Sequence, residues 1–79
     1  MFFVYSIRSL SRNYIYVGLT DNVERRFKEH QFGKNKSTRP YKPYKLILVE
    51  QYLTRQEARR REKFLKSGSG REFLKSICN

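Results

Sequence analysis

Five side chains able to move a proton, hold a metal or grip a phosphate stand at Tyr5, Tyr16, Arg26, His30 and Glu62. Together they fit phosphodiester hydrolysis, which needs a proton acceptor for water, a cation against the developing charge and a metal on the phosphate. A carboxylate such as Glu62 is a hard oxygen ligand for Mg²⁺, an ion that keeps most of its waters and often takes only one or two protein carboxylates. Arg26 offers a fork of donors to phosphate oxygens. Tyrosine and histidine can move or orient a proton. A phenol with its ordinary pKa near ~10 needs a metal, a cation or a neighbouring base to do so at neutral pH. Each residue also has a plainer use. The tyrosines suit strand cores, Arg26 a solvated helix face, His30 a helix C-terminus, and Glu62 a surface ion pair worth ~0–1 kcal/mol.

The elements that carry them decide between these uses. Phe2 to Ile7 and Tyr14 to Val17 are apolar, aromatic runs that read as two strands, linked by the polar Ser9, Ser11 and Asn13. With Leu10 and Ser11 at the tip of an antiparallel hairpin, Tyr5 would stand directly opposite Tyr16. A one-residue slip would move it toward the other face. Gly18 then breaks the second strand, and a helix restarts at Asp21 with Glu24 three residues on, a capping box. Val23 and Phe27 face a core at i and i+4. Arg26 and His30 fall on the same inward side, where Leu or Val would be the ordinary choice. The helix is expected to run from about Asn22 to His30 and stop near Gly33.

Residues 34–44 are basic, polar and broken by Pro40 and Pro43, a loop with one helical turn before Pro40. Its Lys34, Lys36, Arg39 and Lys42, interleaved with tyrosines, suit a surface that tracks a phosphate backbone and stacks on a base. They equally suit a solvated loop. Lys45 to Tyr52 reads as a third strand, central or well covered. Thr54 and Glu57 open a second helix ending before Gly68, on which Ala58, Glu62 and Leu65 share one face. Ser69 and Glu72 mark a third capping box and a short terminal helix with Phe73, Leu74 and Ile77 free to dock. The expected fold is α+β, in the order β-β-α-loop-β-α-α, with helices against a mostly antiparallel three-stranded sheet. The first two strands are too close in sequence for a parallel crossover.

A chain of 79 residues supports one domain, 1–79. Cys78 is its one cysteine and His30 its one histidine, which excludes an internal disulfide and a zinc-ligand cluster. Stability falls to packing of six tyrosines and six phenylalanines with the aliphatic strands. The start, Met-Phe-Phe-Val-Tyr, lacks the basic region of a signal peptide, and no apolar run approaches the ~20 residues of a membrane span. A cytoplasmic protein is expected, in keeping with the lone thiol. Eighteen Lys and Arg stand against seven Asp and Glu, a formal charge of +11 and a pI near 10.2. That excess favours a polyanion, through phosphate contacts and counterion release. Nucleic acid is favoured over a membrane surface because no helix has a broad, clean apolar face.

The chain resembles the GIY-YIG nuclease superfamily over nearly all its length, in particular small single-domain bacterial members related to the N-terminal nuclease domain of the excinuclease subunit UvrC. Phe3-Val4-Tyr5 stands for the family's Gly-Ile-Tyr and Tyr16-Val17-Gly18 for its Tyr-Ile-Gly. Arg26 follows ten residues after Tyr16, and His30 four later. Arg61-Glu62-Lys63-Phe64 matches the helix that carries the family's metal-binding glutamate.

The resemblance implies that Glu62 binds one divalent metal, Mg²⁺ or Mn²⁺, and that Arg26 stabilises charge on the scissile phosphate. It also implies that Tyr5 activates the attacking water with His30 taking or orienting the proton, while Tyr16 holds the water or the phosphate. The roles of the two tyrosines are exchangeable at this level. Gly18 allows close backbone approach. Lys34, Lys36, Arg39, Lys42 and Arg61 are the expected nucleic-acid contacts. The departures are Phe3 for the first motif glycine, Leu19 where excision-repair relatives have lysine, and no counterpart of an asparagine used late in some homing endonucleases.

The implied activity is metal-dependent endonucleolytic hydrolysis of DNA, selective for structure and linked to repair or recombination, with a protein partner or a homodimer supplying specificity. The alternatives are a non-catalytic nucleic-acid-binding module that keeps the fold, and a basic RNA-binding or ribosome-associated protein.

Overall fold

The computed structural model describes residues 1–78 of the chain. Strands β1 (Phe2–Ser9) and β2 (Ile15–Thr20) are followed by helix α1 (Val23–Gln31), a 3₁₀ turn (Arg39–Tyr41), strand β3 (Tyr44–Tyr52) and helices α2 (Arg55–Lys66) and α3 (Gly68–Ile77). The sheet is antiparallel in the order β2-β1-β3. This is the α+β, three-stranded arrangement expected from the sequence.

The centre of the sheet is β1 rather than β3. Hydrogen-bonded on both sides, β1 is the strand whose residues 4–7 are all buried. The alternation on β3 is that of an edge strand, with Leu46 and Val49 partly exposed beside Lys45 and Gln51. Successive β1 side chains feed two cores. Val4 packs with Val17, Ala58, Leu65 and Leu74 under α2 and α3. Tyr5 and Ile7 pack with Tyr44 and, at the margins, Tyr16, Val23 and Phe27, on the side of α1.

The hairpin register differs from the expected one by two residues. Tyr5 pairs with Gly18, and Tyr16 with Ile7. The cause lies in Ser9, whose hydroxyl accepts the amides of Ser11 (3.2 Å) and Arg12 (3.0 Å) and donates to the Tyr41 carbonyl. This holds residues 10–14 as the loop, closed by Ser9 N–H to Tyr14 O at 2.9 Å. A shift of two preserves the facing of every side chain. Tyr5 and Tyr16 therefore remain on one face, as diagonal neighbours with ring centroids 6.2 Å apart.

Two helix starts also move. Asn22, not Asp21, caps α1 by accepting the Arg25 amide at 3.0 Å, while Asp21 pairs with the Arg25 guanidinium. Ser67, not Ser69, caps α3, so α2 passes into α3 without a loop. The tight join depends on Gly70, where a Cβ would collide with the backbone of Phe64 and Leu65. The other boundaries match their signals. Thr54 caps α2, and Gly33, with φ of 74°, ends α1 as its amide reaches the His30 carbonyl at 3.1 Å.

Candidate active site

Tyr5 is wholly buried in the middle strand, and its phenol crosses over Gly18 of the neighbouring strand. A Cβ at residue 18 would stand 2.5 Å from the Tyr5 hydroxyl oxygen. The close approach expected at Gly18 is thus made by a side chain, and the glycine keeps the space for it.

The hydroxyl lies 2.8 Å from His30 Nε2. His30 projects from the last turn of α1 and is also wholly buried. Burial, reinforced by the positive charge of Arg26, lowers its pKa from 6.5 to about 4, so the ring is neutral at neutral pH. Burial and the neighbouring Tyr16 push the Tyr5 phenol well above the ordinary tyrosine range, while Arg26 pulls the other way. Tyr16 closes the group, its ring centroid 4.9 Å from that of His30. Unlike Tyr5, it is partly exposed.

Arg26 stands one turn before His30, its guanidinium beside the Tyr5 hydroxyl and bonded to Glu29 at 2.9 Å. That bond holds the Glu29 carboxyl below its usual range and keeps Arg26 firmly protonated. Arg26 and Glu29 line an open polar groove with Leu19, Thr20, Arg25 and Arg55. The structure therefore gathers Tyr5, Tyr16, Arg26 and His30 around one hydroxyl, and of these Arg26 also lines the groove.

Glu62 arrives from the other layer. On its helix Ala58 and Leu65 are wholly buried against the sheet, as their shared face requires. The Glu62 side chain is only 12% exposed, with Lys66 at 3.2 Å and Arg59 at 3.9 Å from its oxygens. Among the described residues it makes no hydrogen bond or ion pair with the tyrosines, Arg26 or His30. Its stripe of α2 nevertheless meets the β2 edge at both ends. Arg55, seven residues before Glu62, lines the groove of Arg26, and Lys66, four after, lines a cleft with Tyr16 and Val17.

Among the described residues there is no group of three His, Cys, Asp or Glu able to hold a metal. Asp21 and Glu29 also line the groove but pair with Arg25 and Arg26, so Glu62 would act as a lone carboxylate donor. That suits a largely hydrated hard cation completed by substrate oxygens and does not suit zinc.

The basic residues divide. Lys34, Lys36, Arg39 and Lys42 are exposed on the segment after α1, although Arg39 also donates to the Gly33 carbonyl at 2.7 Å. Arg61 differs from the other four. Its guanidinium is bidentate to Glu50 at 2.8 and 3.1 Å and lies over the rings of Phe64 and Phe73. It joins β3 to α2 and α3.

Sequence reasoning missed Arg25 and Arg55, both visible only as helix charges, and a set of residues behind His30. Thr38 is wholly buried with its Oγ1 2.9 Å from His30 Nδ1. The Tyr44 hydroxyl donates to the Thr38 carbonyl at 2.7 Å, and the Gln31 side-chain amide bonds both the N–H and C=O of Tyr44. A threonine in a polar loop carries no periodic signal that could have revealed this. No helix among the described residues is long and apolar enough to cross a membrane.

The chain is 39% identical over 66 residues to a UPF0213 protein of Staphylococcus haemolyticus, covering 82% of this chain and 80% of the relative. A UPF0213 protein of Vibrio parahaemolyticus is 41% identical over 64 residues, 80% of this chain but 59% of the longer relative. The solution NMR structure of a UPF0213 protein from Bacillus halodurans superposes with a TM-score of 0.57 at 33% identity, covering 98% of this chain and 85% of that one. The GIY-YIG catalytic domain family matches residues 1–75. With that match spanning both strands, the helix of Arg26 and His30 and the helix of Glu62, the chain belongs to the GIY-YIG family of nuclease domains.

Proposed function

We propose that this protein is a divalent-metal-dependent endonuclease that hydrolyses phosphodiester bonds in DNA. The observation that carries the reading is the buried bond from Tyr5 to a neutral His30, beside Arg26 and the partly exposed Tyr16. A structural tyrosine is satisfied by any carbonyl; this one is given a neutral imidazole. Tyr16, the phenol open to solvent, meets the attacking water. The water gives a proton to Tyr16 as Tyr16 passes its own to Tyr5, and Tyr5 hands its proton to His30 Nε2, so that no free phenolate has to form in a site that disfavours it. Arg26 turns from Glu29 to the phosphate oxygens and stabilises the charge that develops there. Glu62 would hold Mg²⁺ or Mn²⁺, which when bound polarises the phosphate and lowers the pKa of coordinated water. Lys34, Lys36, Arg39 and Lys42, joined by Arg25 and Arg55 at the groove, contact the DNA backbone. So small a surface reads DNA shape rather than sequence. This suits nicked or branched repair and recombination intermediates in the cytoplasm, with a protein partner or second copy adding specificity.

A second reading has one observation in its favour. The Glu62 carboxylate is held by Lys66 and Arg59, as it would be in a binding module that keeps the fold without cleaving. Incubation with nicked, flapped and branched DNA in Mg²⁺ or Mn²⁺, beside Glu62→Ala and Tyr5→Phe, separates the two. Cleavage that both substitutions abolish supports the nuclease. Salt-sensitive binding without cleavage by any form supports the module, and cleavage unchanged in Glu62→Ala removes Glu62 from the metal.

A further inference from the structure

Behind His30 lies a second hydrogen bond with a direction that can be worked out. The Tyr5 hydroxyl is wholly buried, with His30 Nε2 at 2.8 Å and with Arg26 and Tyr16 also beside it. Neighbouring Arg26 has only donors and cannot accept its proton. A buried hydroxyl proton needs an acceptor, and the 2.8 Å contact offers one at Nε2, so Tyr5 O–H donates and Nε2 is the bare nitrogen of the ring. The ring is neutral, which leaves its single proton on Nδ1.

Nδ1 faces Thr38 Oγ1 at 2.9 Å. Thr38 must then accept, and its own proton has an outlet in the Asn35 carbonyl, 3.4 Å away. With that direction every donor in the chain Tyr5, His30, Thr38, Asn35 carbonyl is matched, and no buried side-chain polar atom among the described residues lacks a partner. Reversal would turn the Tyr5 proton away from His30 and toward Tyr16. Thr38 is itself fixed from outside by the Tyr44 hydroxyl on its carbonyl and by its amide on Asn35.

We infer that Thr38 is a positioning residue that locks His30 with its proton on Nδ1, keeping Nε2 free to take the proton of Tyr5. The consequence for cleavage rate rests on the nuclease reading, whereas the tautomer itself does not. A plain packing role for Thr38 predicts no preference between the two ring nitrogens.

His30 is the only histidine, so long-range ¹H–¹⁵N NMR spectra of the labelled chain report its tautomer without ambiguity. The expected result is a protonated-type shift at Nδ1 and an unprotonated-type shift at Nε2. Thr38→Val keeps the shape but removes the acceptor, and should move the ring toward the Nε2-protonated form. Thr38→Ser restores the hydroxyl and should restore the wild-type pattern. If DNA is cleaved, Thr38→Val should lower the rate about 10- to 100-fold, as loss of an outer imidazole partner does elsewhere, and Thr38→Ser should recover it. A wild-type ring protonated on Nε2 overturns the inference, as does a Thr38→Val spectrum with Nδ1 still fully protonated. The Nδ1 tautomer in a protein that cuts no DNA would uphold the inference and reject the nuclease.

Discussion

Tyr5 lies across Gly18, so near that any side chain at residue 18 would occupy the position of the phenol. The backbone at Gly18 does not have the positive φ that would otherwise explain a glycine. Its value is the missing Cβ. Gly18→Ala should therefore act through Tyr5, forcing the ring off its rotamer and lengthening the bond to His30. Overpacking of this kind costs about 1–3 kcal/mol. Urea unfolding should show that loss, and the Gly18→Ala, Tyr5→Phe double variant should lose less than the sum of the two single changes. Strict additivity would mean that Gly18 is needed for something other than the phenol.

Acid should weaken the fold through His30. Its folded pKa of about 4 lies below the ordinary 6.5. The unfolded chain therefore binds more protons in that window, and stability falls as pH drops from about 6.5 toward 4. The contribution is present above pH 6.5 and is of order 3 kcal/mol at most, the free energy of a shift of that size. Thermal unfolding followed from pH 7 to 4 should show the slope, and His30→Gln should flatten it. A slope unchanged in His30→Gln would place the acid sensitivity on carboxylates, of which Glu29, held down by Arg26, is the first to suspect.

Much of this site was readable beforehand because helix and strand periodicity is coarse and robust. The inward face of α1 follows from Val23 and Phe27, and it takes Arg26 and His30 with it. Tyr5 and Tyr16 stay together even with the hairpin register wrong, because an error of two residues leaves their facing intact. What escaped depends on single hydrogen bonds. The register turned on the Ser9 hydroxyl, the third helix start on Ser67, and the environment of His30 on Thr38, which a loop brings back from eight residues away. The ion pair of Arg61 was invisible for a related reason: its partner Glu50 lies on another element, and charge composition carries no record of pairing.

In the proposed nuclease Lys66 would compete with the metal for Glu62, since its ammonium lies 3.2 Å from one carboxylate oxygen. Lys66→Met keeps an apolar stem in the cleft that Lys66 lines with Tyr16 and Val17 but removes the charge. The Mg²⁺ concentration for half-maximal cleavage should fall severalfold, with little change in the rate at saturating metal. An increase, or a loss of rate at saturation, would mean that Lys66 touches the substrate rather than guarding the carboxylate.

Salt dependence of DNA binding can separate the arginines that hold the fold from the cations that hold DNA. Each phosphate contact contributes close to one unit of slope in a plot of log affinity against log salt. Lys34→Ala and Lys36→Ala should each weaken binding across all DNA sequences and reduce the slope by about one where the contact is made. Arg61→Ala should leave the slope unchanged, because its guanidinium is already spent on Glu50 and the faces of Phe64 and Phe73. Its cost should appear in stability instead. That loss should be about 1 kcal/mol, given a partly exposed ion pair and two cation–π contacts. If Arg61→Ala lowered the slope and spared the melting temperature, the guanidinium would have to leave Glu50 when DNA binds, and the interface would extend around the end of α2 to β3.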